Sequence, residues 1–187
     1  MTVLFIDACM RDNSRTRALA NEVLSRIGGD AARVELRKTP VPPLDGESLA
    51  RRTELAAEGR FDDPIFENAR RFAAADEIVV AAPYWDLSFP AALKAYVESV
   101  CVVGVTFAYD EFGSPFGLCR AKRLIYVTTA GGDDVPTDFG FGYVKALCER
   151  FFGIPRVDLV KAEGLDIIGA DADAILSRAA RDAETII

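Results

Sequence analysis

Three short segments of the chain combine hydroxyl, cationic, aromatic and glycine residues in patterns that suit binding of a small ligand. The first runs from Arg11 to Arg17 and includes Ser14, Arg15 and Thr16. If a helix begins there, its free N–H groups and positive dipole end add to the hydroxyls and the arginine, and this set suits a phosphate. An ordinary serine-capped helix with solvated arginines would show the same pattern, so both interpretations stay open.

The second segment joins an apolar run, residues 78–82, to an amphipathic helix that we predict to be capped by Ser88, with Pro90 in its first turn. Between them stand Pro83, Tyr84, Trp85, Asp86 and Leu87. Aromatic residues after a parallel strand can bracket a flat heterocycle such as a flavin, while the N–H groups of the loop bond its edge. The alternative is a surface turn whose aromatic residues seal the core.

The third segment is Thr129-Ala-Gly-Gly-Asp133, which follows another apolar run. Gly131 and Gly132 allow a backbone to approach a ligand closely, with their N–H groups facing an acceptor. A plain Gly-Gly turn is the alternative. What favours a site is that all three segments follow predicted strands whose ends one fold would bring together.

Composition limits the chemistry that the chain can perform. The net charge is −7 and there is no histidine among the 187 residues. The negative charge argues against nucleic acid or an anionic membrane as a main partner. The missing histidine excludes Ser-His-Asp and Cys-His catalysis and histidine zinc sites, so we expect no metal site and no catalytic side chain. If the protein is an enzyme, a cofactor carries the reaction.

The cysteines and the N-terminus indicate a compartment. None of Cys9, Cys101, Cys119 and Cys148 forms a C-x-x-C pair, and the first residues enter a strand pattern without a signal peptide. No apolar run approaches the ~20 residues that span a bilayer. We therefore expect reduced thiols and a cytoplasmic protein.

Apolar runs alternate with helical patterns along the whole chain. The predicted strands are residues 3–8, 32–36, 78–82, 123–129 and 156–162. Two helices, at 47–58 and from Asp63, share the long crossover between strands two and three, and an aromatic excursion at about 105–118 suggests a hairpin. We predict one α/β domain over 1–187, a flavodoxin-like three-layer sandwich with a five-stranded parallel sheet in the order 2-1-3-4-5. A dinucleotide-binding Rossmann fold is less favoured, because no G-x-G-x-x-G follows the first strand.

Several motifs resemble one family. They are Pro-Tyr-Trp-Asp-Leu-Ser-Phe-Pro from residue 83, Leu-Lys-Ala-Tyr from 93, Gly-Val-Thr-Phe-Ala-Tyr from 104, and Gly117-Leu, with weaker support from 14–16 and 129–132. On these motifs the chain resembles the FMN-dependent NADH-azoreductases, within the flavodoxin-like NAD(P)H:quinone oxidoreductases. The resemblance is strongest between Pro83 and Leu118.

The resemblance implies a site by position. Ser14, Arg15 and Thr16 match residues that hold the FMN phosphate, with Cys9 near a position that is often serine. The loop under the flavin ring corresponds to Pro83, Tyr84, Trp85, Asp86 and Leu87, and the loop at its pyrimidine edge to Thr129, Gly131 and Gly132. Family members are homodimers, which would bring Phe107 and Tyr109 close to the partner's flavin and, with Tyr84, to the substrate.

Two positions depart from the family pattern. Asp86 stands where asparagine is common, and an ionised Asp cannot donate a hydrogen bond to a flavin carbonyl. Ala130 stands where arginine is frequent. These differences bear on redox potential and substrate choice.

The resemblance implies an FMN-dependent oxidoreductase that passes a hydride from NADH or NADPH, through the flavin, to a quinone, azo or nitro compound. Two alternatives are a flavodoxin-type electron carrier and a flavin-free binding protein of the same fold. The acidic charge also suits the carrier, whereas the long crossover and the aromatic excursion favour the enzyme.

Overall fold

The computed structural model describes residues 1–187. Its strands are β1 Val3–Asp7, β2 Ala31–Glu35, β3 Glu77–Ala81, β4 Phe107–Tyr109, β5 Pro115–Gly117, β6 Arg123–Thr129 and β7 Arg156–Ala162. Its helices are α1 Arg15–Ile27, α2 Gly46–Ala57, α3 Glu67–Ala74, α4 Ala91–Val100, α5 Tyr143–Leu147 and α6 Ala172–Asp182. None of these helices combines the length and the apolar character needed to cross a bilayer.

Five strands form a parallel sheet in the order β2-β1-β3-β6-β7. Since β4 and β5 pair only with each other as an antiparallel hairpin, this is the predicted 2-1-3-4-5 order, and the prediction is confirmed. Asp7, the last residue of β1, pairs with Glu35 on one side and Ala81 on the other. The strands therefore end level, and the loops that follow β1 and β3 leave the sheet side by side.

Helices cover both faces of the sheet. Side chains such as Phe5, Val79 and Ile125 pack on one face against α1 and α6. Alternate residues, such as Ile78 and Tyr126, pack on the other face against α3, α4 and α5. This double burial explains the uninterrupted apolar runs in the sequence. Because both clusters share one sheet, we propose that residues 1–187 form a single domain.

Helix starts differ from the sequence predictions in two places. Ser88 does not cap α4, which begins at Ala91 after Pro90; its hydroxyl donates instead to the carbonyl of Phe139 at 2.7 Å. Asp63 caps a short 3-10 turn before α3 begins. In both places the regular α-helix begins a few residues after the position that the sequence predicted.

The element after β6 is less regular than predicted. Only residues 143–147 are α-helical, with one wide π turn on each side. The segment ends at Gly153 in a left-handed conformation. A Cβ on Gly117 of the hairpin would overlap the backbone of Phe152 and Gly153, so the hairpin packs directly against this end.

Candidate functional site

The loops after β1, β3 and β6 meet at the carboxyl edge of the sheet around a cleft of about 500 Å3. The lining residues are Met10, Arg11, Asn13, Ser14, Arg15, Thr16, Pro83, Tyr84, Trp85, Thr129, Gly131 and Asp166. The edge where the strand order reverses is where open α/β sheets bind ligands. The cleft therefore lies where the sequence segments were expected to meet.

The first turn of α1 presents unpaired donors to this cleft. Ser14 is the N-cap, and its hydroxyl oxygen accepts from the N–H of Arg17 at 3.3 Å. The N–H groups of Arg15 and Thr16 donate to no backbone carbonyl. Together with the positive end of the helix dipole, these groups have the arrangement that favours an anion at a helix N-terminus.

The loop between β1 and α1 is held from behind by Arg17. Its guanidinium donates to the carbonyls of Cys9, Arg11 and Asp12 at 2.6 to 3.0 Å. Cys9 is fully buried and faces Ala81 rather than the cleft. Burial raises the pKa of the Cys9 thiol to about 12, so this thiol stays protonated at neutral pH.

The loop after β3 ends in a tight two-residue turn. Trp85 and Ser88 exchange two backbone hydrogen bonds, at 3.2 and 2.7 Å. Asp86 and Leu87 both have positive φ angles, 50° and 66°. The left-handed region is unfavourable for Leu, so the turn stores backbone strain, and such strain clusters at functional sites.

Tyr84 lines the cleft and carries an unsatisfied polar atom. Its hydroxyl is buried and has no hydrogen-bond partner in the chain, while its backbone N–H donates to Thr129. Buried polar atoms without partners are rare in folded proteins. Because this oxygen is closed even to water, it is not available to a ligand in the cleft.

The third loop, which follows β6, contacts helix α1 and the loop after β7. Thr129 and Thr16 share a buried hydrogen bond of 2.6 Å between their hydroxyls. Asp166, in the loop after β7, covers Gly131 so closely that a Cβ at that position would lie 2.3 Å from its carboxylate. The same carboxylate accepts from Arg15 at 2.8 Å, so a negative charge borders the proposed anion position.

Comparison with known proteins agrees with the observed topology. A family model described as a flavodoxin-like fold matches residues 1–187. The chain belongs to the flavodoxin-like family. This flavodoxin-like chain is similar to an FMN-dependent NADH:quinone oxidoreductase of Stenotrophomonas maltophilia, with 38% identity over 88% of this chain and 85% of that protein. It is also similar to FMN-dependent NADH:quinone oxidoreductase 2 of Clostridium acetobutylicum, with 36% identity over 76% of this chain and 72% of that protein.

Solved structures give the same answer for the fold. An FMN-dependent NADH-azoreductase from Bacillus anthracis, solved in complex with FMN, superposes with a TM-score of 0.81 at 22% identity, over 99% of this chain and 96% of that chain. A second azoreductase structure from Bacillus anthracis gives a TM-score of 0.82 at 21% identity, over 100% of this chain and 98% of that chain. The expected family resemblance and the flavodoxin-like fold are confirmed.

The flavodoxin-like cleft collects eight of the predicted cofactor-binding residues on its wall: Ser14, Arg15, Thr16, Pro83, Tyr84, Trp85, Thr129 and Gly131. Four others do not line it. Cys9 is buried beneath the first loop, Asp86 and Leu87 form the exposed tip of the turn, and Gly132 lies beyond Gly131.

Sequence reasoning did not single out some of the residues that line the cleft. Met10, Arg11 and Asn13 fall inside or beside the segment that it examined. Asp166 belongs to no recognisable sequence motif. Only its position after the last strand, whose carboxyl end lies at the same edge, could have pointed to it.

The two aromatic residues expected near a partner's site lie on the hairpin. Phe107 is only 7% exposed and packs edge-on against Phe151, with 4.8 Å between ring centres. Tyr109 contacts Phe107 from outside and is half exposed. Phe107 therefore supports Tyr109, and Tyr109 is the ring that a partner molecule can reach.

Proposed function

We propose that this flavodoxin-like protein is an FMN-dependent NAD(P)H oxidoreductase that reduces quinones, azo compounds or nitro compounds by two-electron hydride transfer. The observation that carries the proposal is the convergence of three loops, from β1, β3 and β6, on one cleft. The names of its relatives, FMN-dependent NADH:quinone oxidoreductases, support the same activity.

The first loop fits the phosphate of FMN. The unpaired N–H groups of Arg15 and Thr16 would donate to phosphate oxygens, and the Ser14 hydroxyl, which accepts from Arg17, keeps its own hydrogen for a further bond. The Thr16 hydroxyl is already bonded to Thr129, so Thr16 contributes through its backbone. The guanidinium of Arg15 adds a positive charge at the rim.

The second and third loops fit the flavin ring. Trp85 and Tyr84 supply aromatic surface. The N–H group of Gly131, on the cleft wall, donates to no backbone carbonyl, so it is available to the acceptor edge of the ring. Because Asp86 projects from the exposed tip, backbone groups rather than its carboxylate would make the ring contacts.

Bound FMN would supply the hydride chemistry, and the protein would supply position and electrostatics. Backbone N–H groups at the ring edge stabilise negative charge that develops there during reduction. No acid or base side chain is required, in agreement with the absence of histidine. Tyr84 would border the ring and orient the substrate above it.

A homodimer is part of the proposal. The hairpin exposes several large apolar side chains, namely Tyr109, Phe112, Phe116 and Leu118, and Phe112 is 84% exposed. A concentration of apolar side chains on the surface is typical of an interaction site. In the dimer, Tyr109, supported by Phe107, would reach the substrate in the partner's cleft. Sedimentation equilibrium tests this assembly, and a monomer at micromolar concentration would contradict it.

The activity is tested by the visible spectrum of the purified protein with FMN. Bound flavin that NADH bleaches, and that a quinone or azo dye restores over many turnovers, is the expected result. Ser14→Ala should weaken FMN binding, whereas Ser25→Ala, on the exposed far end of the same helix, should not. The four free thiols favour a reducing compartment, so we assign the protein to the cytoplasm.

Two outcomes would overturn the proposed activity. Bound FMN that exchanges single electrons with a redox protein but does not oxidise NADH would indicate a flavodoxin-type carrier. A colourless protein that takes up no FMN would indicate a binding protein that shares only the fold.

A further inference from the structure

A second cavity lies in the crossover between β2 and β3. Its volume is about 530 Å3, and no residue lines both this cavity and the three-loop cleft. Its walls come from the loop after β2 and from helices α2, α3 and α4. The proposed flavin chemistry makes no use of it.

Two cationic side chains on its wall have no carboxylate partner. Arg52 of α2 and Arg71 of α3 both line the cavity, and neither takes part in an ion pair. Arg52 donates to the carbonyls of Glu98 and Cys101, at 3.0 and 2.9 Å, and Arg71 donates to the carbonyl of Arg33 at 3.4 Å. A guanidinium has five N–H groups, so most donors of both arginines are free.

The charge on Arg52 is only partly compensated. Its side chain is half-buried, and burial lowers its pKa. The two carbonyls at the end of α4 carry partial charges, which offset desolvation less than an anion would. A carboxylate that accepts from Arg52 and Arg71 would satisfy free donors and add the missing counter-charge.

The remaining charges around the cavity limit the ligand to a monoanion. Arg33 also borders it, but its guanidinium points to α1, where it donates to Asn21 and lies 4.9 Å from the ring centre of Phe5. Glu67 is the only carboxylate on the wall and has no ion-pair partner. Two guanidinium groups against one carboxylate accommodate one further negative charge, whereas a dianion such as a phosphate monoester would meet greater repulsion.

The rest of the wall combines aliphatic and polar side chains, and part of it is rigid. Val41, Leu44 and Ile65 contribute aliphatic side chains, and Pro40, Pro42 and Pro43 restrict the backbone of the loop after β2. A preformed cavity of this size, with aliphatic surface and a few placed polar and charged groups, has the usual character of a small-molecule site.

We infer that this cavity binds an aromatic monocarboxylate, with its carboxylate on Arg52 and Arg71 and its ring against the proline-rich loop. The inference is independent of the proposed FMN chemistry, because the two cavities share no residue. The proposed carboxylate site lies outside the flavin cleft.

The test is 19F NMR titration of the full-length protein with 4-(trifluoromethyl)benzoate, both with and without FMN. Saturable binding is expected in both samples, and the uncharged 4-(trifluoromethyl)benzamide should not bind. Arg71→Gln should weaken binding about tenfold, since it removes a charged hydrogen-bond donor. Glu67→Gln should strengthen it. Arg178→Gln, an arginine of α6 that forms no ion pair, is the matched control and should leave binding unchanged.

Thermal melting of each variant checks that it is folded. Equal binding of the amide, unchanged binding by a folded Arg71→Gln variant, or displacement of the probe by FMN would each overturn the inference. Failure of the protein to bind FMN would overturn the proposed function, but the carboxylate titration could still be interpreted.

Discussion

The Nε of Arg17 lies 2.5 Å from the Oδ2 of Asp7, and the same guanidinium holds three carbonyls of the loop between β1 and α1. Asp7 is buried at the end of β1, and its other oxygen accepts from the N–H of Cys9. Burial by itself would lower the pKa of Arg17, but the hydrogen bond and charge of Asp7 outweigh it, and the pKa is raised. This pair links the sheet to the loop that we propose binds the FMN phosphate.

We predict that Arg17→Met lowers the free energy of unfolding by about 3 kcal/mol, because it leaves the buried Asp7 carboxylate unpaired. FMN affinity should fall as well, since the loop carbonyls lose their donors. Adding Asp7→Asn removes the unpaired charge while keeping an acceptor for Cys9. This double variant should recover stability but not FMN affinity. Urea denaturation and FMN titration measure the two effects, and recovery of both would contradict a positioning role for Arg17.

Asp166 should weaken FMN binding in the native protein, because its carboxylate engages Arg15 at the edge of the phosphate position. We expect Asp166→Asn to tighten FMN binding two- to fivefold, about the value of an exposed ion pair. Riboflavin, which lacks the phosphate, should bind unchanged. Asp30→Asn, an exposed aspartate before β2, serves as control. Weaker FMN binding by Asp166→Asn would show that Asp166 positions Arg15 instead of competing for it.

Tyr84→Phe should stabilise the protein without weakening FMN binding. It removes a buried hydroxyl that lacks a partner, so the free energy of unfolding should rise by about 1 kcal/mol. FMN binding should change little, because the hydroxyl is closed off from the cleft. Tyr109→Phe, whose ring is half exposed, should change neither quantity much. Thermal melts and flavin titrations of both variants measure these two quantities. A less stable Tyr84→Phe apoprotein would contradict the prediction.

The turn at Asp86 and Leu87 stores strain that glycine should release. Leu87→Gly should raise the free energy of unfolding by roughly 0.5 to 1 kcal/mol, the left-handed penalty of Leu less the chain entropy of Gly. Leu49→Gly, at an exposed position within α2, should instead lower it by about 1 kcal/mol. Asp86→Asn tolerates the same φ and adds an amide donor to the turn. Guanidinium denaturation compares the three variants, and a destabilised Leu87→Gly would mean that its side chain contributes packing.

The cysteines should make the protein sensitive to alkali. Burial raises the pKa of Cys101 to about 11 and the pKa of Cys9 and Cys119 to about 12, above the unfolded value of about 8.5. The unfolded chain therefore loses these protons at a lower pH than the folded protein. The stabilisation that the buried thiols contribute is complete below about pH 8.5 and is lost as the pH rises towards the folded pKa values. Unfolding free energies at pH 7, 9 and 10 should decrease in that order. Iodoacetamide should label the thiols at pH 8 only after denaturation, and rapid labelling of the native protein would contradict this.

The candidate site was predictable where one loop supplies both the residue and its position. Ser14 and Tyr84 follow strands that apolar runs had marked, and Thr129 ends another, so topology brings them together. Asp166 was not predictable, because its role comes from contacts with Arg15 and Gly131 far away in sequence. The prediction that Ser88 caps a helix was wrong, because its hydroxyl donates to the carbonyl of Phe139. No local sequence pattern indicates that partner.

The sequence by itself determined the alternation of strands and helices, the strand order and the three loops at one edge, because burial on both faces of a parallel sheet imposes continuous apolar runs. Only the tertiary structure decided which side chains face the cleft, that Cys9 lies beneath it, that Asp166 borders it and that Arg52 and Arg71 share a second cavity. These facts depend on contacts between residues distant in the chain, and such contacts are set by packing in three dimensions rather than by local pattern.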